Sequence, residues 1–427
     1  MIQIKISEPK AKEAEYTEQM LVPLLERINL LKISLMHISG LSAEISGNGI
    51  KSYSKFTARI LGLAEGKKYD SDDFNAASYL TTLNAYLSGP NKSANLKIPV
   101  LLGFISDLQK EDNSLLKELL TCRAEDLSSM NADLIQRYTL DSKQLKILKC
   151  AITYGHKKLS GVCKAFFRKH NFVAFCPYCN LERALYIPEI EYDEEEQAMG
   201  EVLDESDDED EDEDSDDTER GTASVHQLDH FFSQTDFPLL SLSMYNLVPS
   251  CATCNSFNKG KIEFSDIYHR NPYIRGFDQD ARFVPIKDGL KVSRIKLEVF
   301  CEPDTAQYRQ LLGEKDDKSK KHLERGNINV FKLRGKYAIH QKKADFVLNA
   351  VNKRVTGLRS YARFKIPWGQ INKETVYKNW YEYEIRTPFE IESFNDEPFS
   401  KFNRDMHDHY FEGKNSSNYK FIKEMIK

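Results

Sequence analysis

Two short cysteine pairs constrain this chain more than any other feature. They read Cys176-Pro-Tyr-Cys179 and Cys251-Ala-Thr-Cys254. Two C-x-x-C turns that meet in space supply four thiolates for a tetrahedral Zn²⁺, with bonds of about 2.3 Å. One such pair is also found at redox sites, whereas two pairs in one chain favour a metal. Because four sulfurs leave no coordination position open, the sequence predicts a structural zinc that stabilises the fold and takes no part in a reaction.

The charge of the chain is distributed unevenly. Residues 189–219 contain 20 Asp and Glu and no Lys or Arg, although the 427-residue chain has a formal net charge of only −5. The other 396 residues combine 45 acidic residues with all 60 Lys and Arg, which is a net charge of +15. A run with so much like charge and so little apolar surface is typical of disorder, so we interpret it as a disordered acidic insertion. Because the rest of the chain is basic, the overall pI of about 6.1 does not exclude nucleic acid as a partner.

Hydrophobic spacing and composition divide the chain into three regions. Residues 1–170 repeat apolar residues at intervals of three and four, which predicts a helical scaffold or partner-binding region. Residues 171–265 are rich in Cys, His, Asn and Asp and contain the acidic insertion. Residues 266–427 form a C-terminal mixed region that is helical and rich in aromatic residues.

The C-terminal region has two kinds of spacing and an aromatic tail. Residues 282–302 alternate weakly, as strands do, and residues 329–355 return to helical spacing. The tail from Tyr361 has 15 Phe, Trp and Tyr in 67 residues, interleaved with Lys and Arg. Aromatic side chains that alternate with Lys and Arg can stack on the bases of a nucleic acid. Packing in the protein core is the commoner role, and it is the one we expect.

Neither a secretory signal nor a membrane span is expected. Residues 1–16 are charged and lack an apolar core with a cleavage site. The longest apolar stretch, near residues 98–105, is much shorter than the roughly 20 residues needed to cross a bilayer. We therefore expect a cytoplasmic protein that does not contact a membrane.

The segment between the cysteine pairs carries the polar residues of a reactive site. Asp229 and His230 are adjacent, Asn246 opens the stretch Asn-Leu-Val-Pro-Ser-Cys, and Asn255 follows the second cysteine pair directly. A lone histidine is more often structural than catalytic, but a structural role explains this combination poorly. A neutral imidazole can take a proton from water at pH 7. Carboxylate and amide oxygens suit Mg²⁺ or Mn²⁺.

From Cys176 to Lys261 the sequence resembles the HNH endonucleases, the ββα-metal nucleases. Members with zinc knuckles read C-x-x-C, then D-H, then N-L-V-P-x-C-x-x-C-N, then K-G, and each of these elements is present here. The resemblance implies an α+β fold class, in which a small zinc-stabilised ββα-metal core is set within a mostly α-helical protein. It covers neither the helical region nor the aromatic tail.

The resemblance also implies a role for each matched residue. His230 corresponds to the general base, and Asn246 to the residue that steadies the loop and the base. Asp229 and Asn255 correspond to the protein ligands of a catalytic divalent ion. Many members have His at the last of these positions, so Asn255 favours Mg²⁺ or Mn²⁺ over a nitrogen-rich site for Zn²⁺ or Ni²⁺.

Residue spacing adds three further candidates. A helix after the second cysteine pair would place Asn255, Asn258 and Lys259 on one face, which makes Asn258 an alternative Mg²⁺ ligand and Lys259 a phosphate contact. His226 would share the face of His230 in a strand and could contact DNA phosphate. An exposed polar residue without a function is the simpler interpretation of His226.

These expectations favour a metal-dependent endonuclease that hydrolyses DNA phosphodiester bonds. By resemblance, it would be a prokaryotic effector in defence against phage and other foreign DNA. Any ATPase or sensor subunit would be a separate chain bound through residues 1–170, because the sequence has no G-x-x-x-x-G-K-[ST] motif. Two alternatives stay open: a non-catalytic zinc module that binds nucleic acid or protein, and a ribonuclease toxin. The acidic insertion is either an inert solvated loop or a polyanion that competes with DNA.

Overall fold

The computed structural model describes residues 1–41, 97–155, 157–184, 226–315, 320–363, 373–388, 390, 393–394 and 396–412. The acidic insertion predicted at residues 189–219 lies outside the described residues. Among the described residues, no helix has the length and apolar character needed to cross a membrane.

The described part of residues 1–170 is helical, as the spacing of apolar residues predicts. The helices are α1 (Pro9–Leu41), α2 (Ile98–Leu108), α3 (Ser114–Thr121), α4 (Leu127–Tyr138), α5 (Ser142–Ala151) and α6 (Lys157–His170). α5 begins with a capping box: the Asp141 side chain accepts from the backbone N–H of Gln144 at 2.9 Å, and the Gln144 side chain accepts from the N–H of Asp141 at 2.8 Å. Helix α1 buries one apolar stripe that includes Leu24, Ile28 and Leu31.

The middle region forms a small hairpin followed by one short helix. Strand β1 (His226–His230) pairs antiparallel with β2 (Leu247–Cys251), and His230 lies opposite Leu247. The residues Thr253–Lys259 form a π-helix, which starts directly after the hairpin. Every residue of β2 is buried, so this strand lies inside the molecule and not at its surface.

The C-terminal region contains a second hairpin and a group of helices. Strands β3 (Ala281–Asp288) and β4 (Lys291–Val299) form an antiparallel pair, which confirms the strand interpretation of residues 282–302. The helices are α7 (Ala306–Leu312), α8 (Asn327–Val330), α9 (Leu333–Ala338), α10 (Gln341–Arg363), α11 (Lys373–Trp380) and α12 (Ser400–Phe411). Helix α12 packs against β3 and α10.

One apolar core connects these regions. It runs from α1 through the cysteine pairs to α10 and α12. Tyr381 and Phe402 of the aromatic tail are fully buried, whereas Tyr383 is exposed. The fold is therefore mixed, with two small two-stranded sheets among helices, and the described part of the aromatic tail mostly supplies core residues.

Candidate active site and metal centre

The four cysteines of the two pairs meet at one point inside the protein. Their Sγ atoms all lie within 4.8 Å of one another, all four side chains are buried, and none forms a disulfide. The Sγ atoms of Cys179 and Cys251 are 3.9 Å apart. A tetrahedron of sulfurs with zinc bonds of about 2.3 Å has edges of roughly 3.8 Å. The cluster could therefore hold a metal ion such as zinc, as the sequence predicts.

Local contacts hold the first cysteine pair in its turn. The backbone N–H of Asn180 donates to the carbonyl of Cys176 at 2.7 Å, and the N–H of Cys176 donates to the carbonyl of Glu182 at 2.9 Å. Asn180 has a left-handed backbone, with φ of 53°, a conformation that asparagine tolerates better than most residues. Backbone hydrogen bonds and the left-handed conformation of Asn180 therefore shape this turn, and the thiols lie close together without a disulfide.

Lys336 places a positive charge beside the cluster. Its Nζ lies 3.5 Å from Sγ of Cys254 and 3.5 Å from a carboxylate oxygen of Glu182. Burial acts to lower the pKa of Lys336, but negative charge on Cys254 and its neighbours outweighs burial and raises this pKa above the ordinary lysine value. A cation at this position stabilises thiolates, which are the form of cysteine that binds metal.

Asn246 fixes the loop that connects β1 to β2. Its Oδ1 accepts from the backbone N–H of Phe232 at 2.8 Å. Its Nδ2 donates to the carbonyls of Phe232 at 3.1 Å and Leu240 at 3.0 Å. The side chain is fully buried and uses both of its polar atoms. These contacts hold the loop in one shape, and they do not include His230.

His230 ends β1 with its ring held in one orientation. Its Nε2 lies 3.0 Å from the carbonyl oxygen of Ser241, and a carbonyl can only accept, so Nε2 carries the proton. The ring also meets Tyr154 edge to face, with centroids 4.9 Å apart. Burial lowers the pKa of His230 to about 4, against the opposing effects of the Ser241 carbonyl and Asp229, and the charges of Lys259 and Lys149 add to the lowering. The imidazole is therefore neutral at pH 7, and Nδ1 carries the lone pair that can take a proton.

Asp229 occupies a closed position on the opposite face of β1. Its Oδ2 accepts from the hydroxyl of Tyr178 at 2.6 Å, and its Oδ1 accepts from Nζ of Lys259 at 2.7 Å. Successive side chains of a strand point to opposite faces, and the imidazole ring of His230 accordingly contacts neither Tyr178 nor Lys259, but Ser241 and Tyr154. Asp229 is 3% exposed, so both of its oxygens are engaged inside the protein.

Lys259 does not lie at the surface, where the sequence interpretation places it as a phosphate contact. Its side chain is 5% exposed. Besides Asp229, its ammonium group donates to the carbonyls of His230 and Phe231, and it lies 4.3 Å from the ring centroid of Phe264. In this arrangement the charge of Lys259 compensates that of a buried carboxylate, and its contact with phosphate stays a prediction.

The π-helix arranges the two asparagines differently from the predicted α-helix. Asn255 and Ser256 both donate to Oε1 of Gln227 on β1, at 3.0 and 2.9 Å. Asn258 is half-buried, and its Nδ2 has no hydrogen-bond partner within the described part of the chain. Hydrogen bonds of a π-helix run from i to i+5, so its turn is wider than that of an α-helix, and Asn258, three residues after Asn255, no longer shares its face.

The predicted ligands of a catalytic divalent ion do not form an open site. Asp229 contributes the only carboxylate among Asp229, Asn255 and Asn258, and it is already paired with Lys259. Two neutral amide oxygens without a carboxylate make a weak Mg²⁺ site. The residues therefore do not fit a bound Mg²⁺ or Mn²⁺ as they stand. His226 begins β1 opposite Cys251, and its contact with phosphate stays a prediction.

Several residues at this site come from places that the sequence analysis did not single out. Tyr178 lies inside the first cysteine pair, between Cys176 and Cys179, and its hydroxyl donates to Asp229. Tyr154 and Lys149 come from the helical region, and Ser241 comes from the loop between β1 and β2. No local motif marks these three, because the tertiary fold alone brings Tyr154 and Ser241 to His230 and Lys149 to Thr235 of the same loop.

A cleft of about 620 Å³ lies beside this site, and neither Asp229 nor His230 lines it. Lys261, Lys321 and Arg325 line it together with Asp236, Glu263 and Glu324. Three cations matched by three carboxylates give the cleft no preference for an anion, so its charge identifies no ligand.

No protein-family model matches this chain, and no match is found among curated proteins or solved structures.

Proposed function

We propose that this protein is a metal-dependent endonuclease of the HNH type that hydrolyses DNA phosphodiester bonds, with His230 as the general base. The observation that carries the proposal is the orientation of His230. Its Nε2 is held by the Ser241 carbonyl, so the lone pair on Nδ1 can accept a proton. The hairpin of β1 and β2, the following helix and the four-cysteine cluster support the proposal, because they come in the order that the resemblance implies.

In this proposal a water molecule attacks the phosphorus and gives its proton to Nδ1 of His230. A new P–O bond forms, the bond from phosphorus to the leaving oxygen breaks, and the leaving oxygen takes a proton from solvent. A base with a pKa of about 4 is weak, so the reaction is expected to be slow unless bound substrate changes the surroundings of the ring. Asn246 acts indirectly, by fixing the loop from which Ser241 orients the ring.

The divalent ion belongs to the proposal by resemblance alone. When bound, Mg²⁺ or Mn²⁺ would neutralise charge at the phosphate. Asp229 could contribute to holding this ion only after it releases Lys259, and the proton transfer above is argued from the His230 ring. The defence role, the cytoplasmic location and a separate ATPase or sensor subunit likewise stay predictions.

The closed pair of Asp229 and Lys259 favours a second candidate function. A buried and fully paired carboxylate is what a non-catalytic zinc module would have at this position. Such a module would bind nucleic acid or protein without cutting it.

Cleavage assays separate these functions. Supercoiled plasmid DNA and a structured RNA would be incubated side by side with Mg²⁺, with Mn²⁺ and with EDTA, and zinc content would be checked after the EDTA arm. We expect divalent-dependent nicking of the plasmid. The variant His230→Ala should lose roughly 10²–10⁴-fold in rate while binding DNA as before, because only the base is removed.

His409→Ala is the matched control, since His409 is also half-buried but lies on α12. It should cleave at the wild-type rate. Wild-type turnover by His230→Ala would remove His230 from the mechanism. Cleavage of RNA alone would favour the ribonuclease, and binding without cleavage would favour the zinc module.

A further inference from the structure

The helical region builds one wall of the site around His230. Ser241, whose carbonyl holds the His230 ring, donates its own hydroxyl to the carbonyl of Ile152 at 3.0 Å. Two residues further along the chain, Tyr154 packs its ring edge to face against His230. The segment that ends α5 is therefore fixed to the loop and to the ring of the proposed base.

Lys149 lies on this same wall, three residues before Ile152. It is half-buried on the last turn of α5. Its Nζ makes one long hydrogen bond, 3.4 Å, to the hydroxyl of Thr235, which belongs to the loop between β1 and β2. Within the described part of the chain, no carboxylate lies within ion-pair distance of Lys149.

Lys259 and Lys149 differ in whether their ammonium groups are accessible to a substrate. Lys259 is buried and paired with Asp229, and it binds two backbone carbonyls besides. Lys149 is partly exposed to solvent, and its one side-chain partner among the described residues is the neutral hydroxyl of Thr235. An anion that replaced this hydroxyl would form a stronger, charge-assisted hydrogen bond with the ammonium group.

We propose that Lys149 is a phosphate-binding residue that holds a phosphodiester group of the nucleic acid next to His230. The inference rests on the proposed nuclease function and adds a substrate contact from the helical region. Hydrolysis needs positive charge at the phosphate as well as a base for water. Lys149 supplies this charge from α5, and the residues that directly follow α5 contact Ser241 and His230. The ammonium group of Lys259 is instead paired with Asp229.

The test compares Lys149→Ala with two further variants. Lys149→Arg keeps the positive charge. Lys143→Ala removes a lysine of the same helix that is exposed and lies six residues away, about 9 Å along the helix axis at roughly 1.5 Å per residue. Rates would be measured on plasmid DNA, and affinity for a short duplex would be measured over a range of salt concentrations on a His230→Ala background, so that the DNA stays intact. Circular dichroism and zinc content would verify that each variant folds.

We expect Lys149→Ala to lose roughly ten- to a hundredfold in cleavage efficiency, the effect of one hydrogen bond to a charged group. The slope of log affinity against log salt should fall by about one, because one phosphate contact is lost. Lys149→Arg should restore most of both losses, and Lys143→Ala should cleave like the wild type.

The outcomes separate this inference from the proposed function. Equal rates and equal salt slopes for Lys149→Ala and the wild type would overturn the role of Lys149 and leave the nuclease in place. An equal loss in Lys143→Ala would also overturn it, since only the overall charge of α5 would then matter. If the wild type cuts neither DNA nor RNA, the nuclease proposal fails, and a slope reduced in Lys149→Ala alone would still support a phosphate contact.

Discussion

His269 is enclosed between fixed backbone groups that accept only its neutral form. Its Nδ1 accepts from the backbone N–H of Ser265 at 3.0 Å, and its Nε2 donates to the carbonyl of Glu324 at 2.8 Å. The ring is stacked on Phe264, with centroids 3.9 Å apart, and is almost fully buried. A second proton on Nδ1 would face an N–H donor. Burial accordingly lowers the pKa of His269 to about 4.

Stability should therefore decrease as the pH falls below that of an exposed histidine. The unfolded chain takes up a proton on His269 near pH 6.5, whereas the folded chain does so only near pH 4, so the contribution is complete above pH 6.5 and is lost between these values. At pH 5 the loss is about 2 kcal/mol in the free energy of unfolding, at 1.36 kcal/mol per pH unit. Urea unfolding at pH 7.5 and pH 5 measures it.

The variant His269→Gln tests the assignment, because it cannot take up this proton. Its free energy of unfolding should fall less between pH 7.5 and pH 5 than that of the wild type. His322→Gln, a change at an exposed position, serves as the control and should keep the wild-type dependence. If the pH dependence is the same in His269→Gln and in the wild type, His269 is not the titrating group.

Asp229 and Lys259 show how a single charge pair can decide the state of a site. The carboxylate and the ammonium group are each at most 5% exposed, and removing one partner of such a pair typically costs about 3–5 kcal/mol. The hydroxyl of Tyr178 adds a further donor from the first cysteine pair. This pair therefore ties the hairpin, the π-helix and the cysteine cluster together, which explains its burial without reference to catalysis.

At the scale of elements, the cysteine cluster should determine whether the hairpin and the π-helix fold. Two turns, each too short to be stable alone, meet at the four sulfurs, and metal binding in such sites is itself free energy of folding. We expect about one zinc per chain by metal analysis. Replacing both Cys176 and Cys179 with Ser should remove the zinc and lower the melting temperature.

Cys301→Ser is the control for this prediction. Cys301 is a free, half-buried cysteine outside the cluster. Its replacement should leave both the zinc content and the melting temperature near the wild-type values. A double Ser variant that melts like the wild type, or a wild-type protein that folds without zinc, would contradict a structural metal centre.

The sequence predicts elements well where the signal is local. Apolar spacing predicts the helices in the described part of residues 1–170, and the paired C-x-x-C turns predict the cluster. Each of these patterns lies within the element or turn that it predicts, so no knowledge of the tertiary structure is needed to recognise it.

Signals that depend on tertiary packing could not be read in this way. Its spacing on a predicted helix makes Lys259 a candidate phosphate contact, yet the position of the π-helix against β1 buries it on Asp229. The π-helix itself changes which residues share a face. Tyr154 reaches His230 across 76 positions of sequence, a distance at which neither periodicity nor motif carries information.

At the scale of the whole molecule, the hairpin is the centre of one core and not an independent module. Ser243 donates to the carbonyl of Leu119 in α3 at 2.5 Å, and Tyr337 of α9 donates to the carbonyl of Cys179 at 2.7 Å. Asn180 donates to the carbonyl of Phe394 at 3.2 Å. Both flanking regions therefore position the site, and changes in either of them can alter it.

The charge of the whole chain is the last determinant of nucleic-acid binding. Residues 189–219 carry 20 acidic residues, while the other 396 residues have a net charge of +15. A polyanion in the same chain is present at a high effective concentration and competes with DNA for the same Lys and Arg side chains. Replacing residues 194–217 with a Gly/Ser linker should therefore tighten DNA binding and raise the basal rate of plasmid cleavage.

Salt and a length-matched control identify the cause of this effect. Ions screen charges at distances beyond about 8–10 Å at physiological strength, so the gain in affinity should shrink as salt rises. A second variant keeps the length of residues 194–217 but replaces each Asp with Asn and each Glu with Gln. It should bind DNA as tightly as the linker variant, because both variants lack the negative charge. If this neutral variant binds like the wild type while the linker variant binds more tightly, the length of the segment matters and its charge does not. If all three proteins bind and cleave equally at low salt, the acidic insertion is an inert solvated loop.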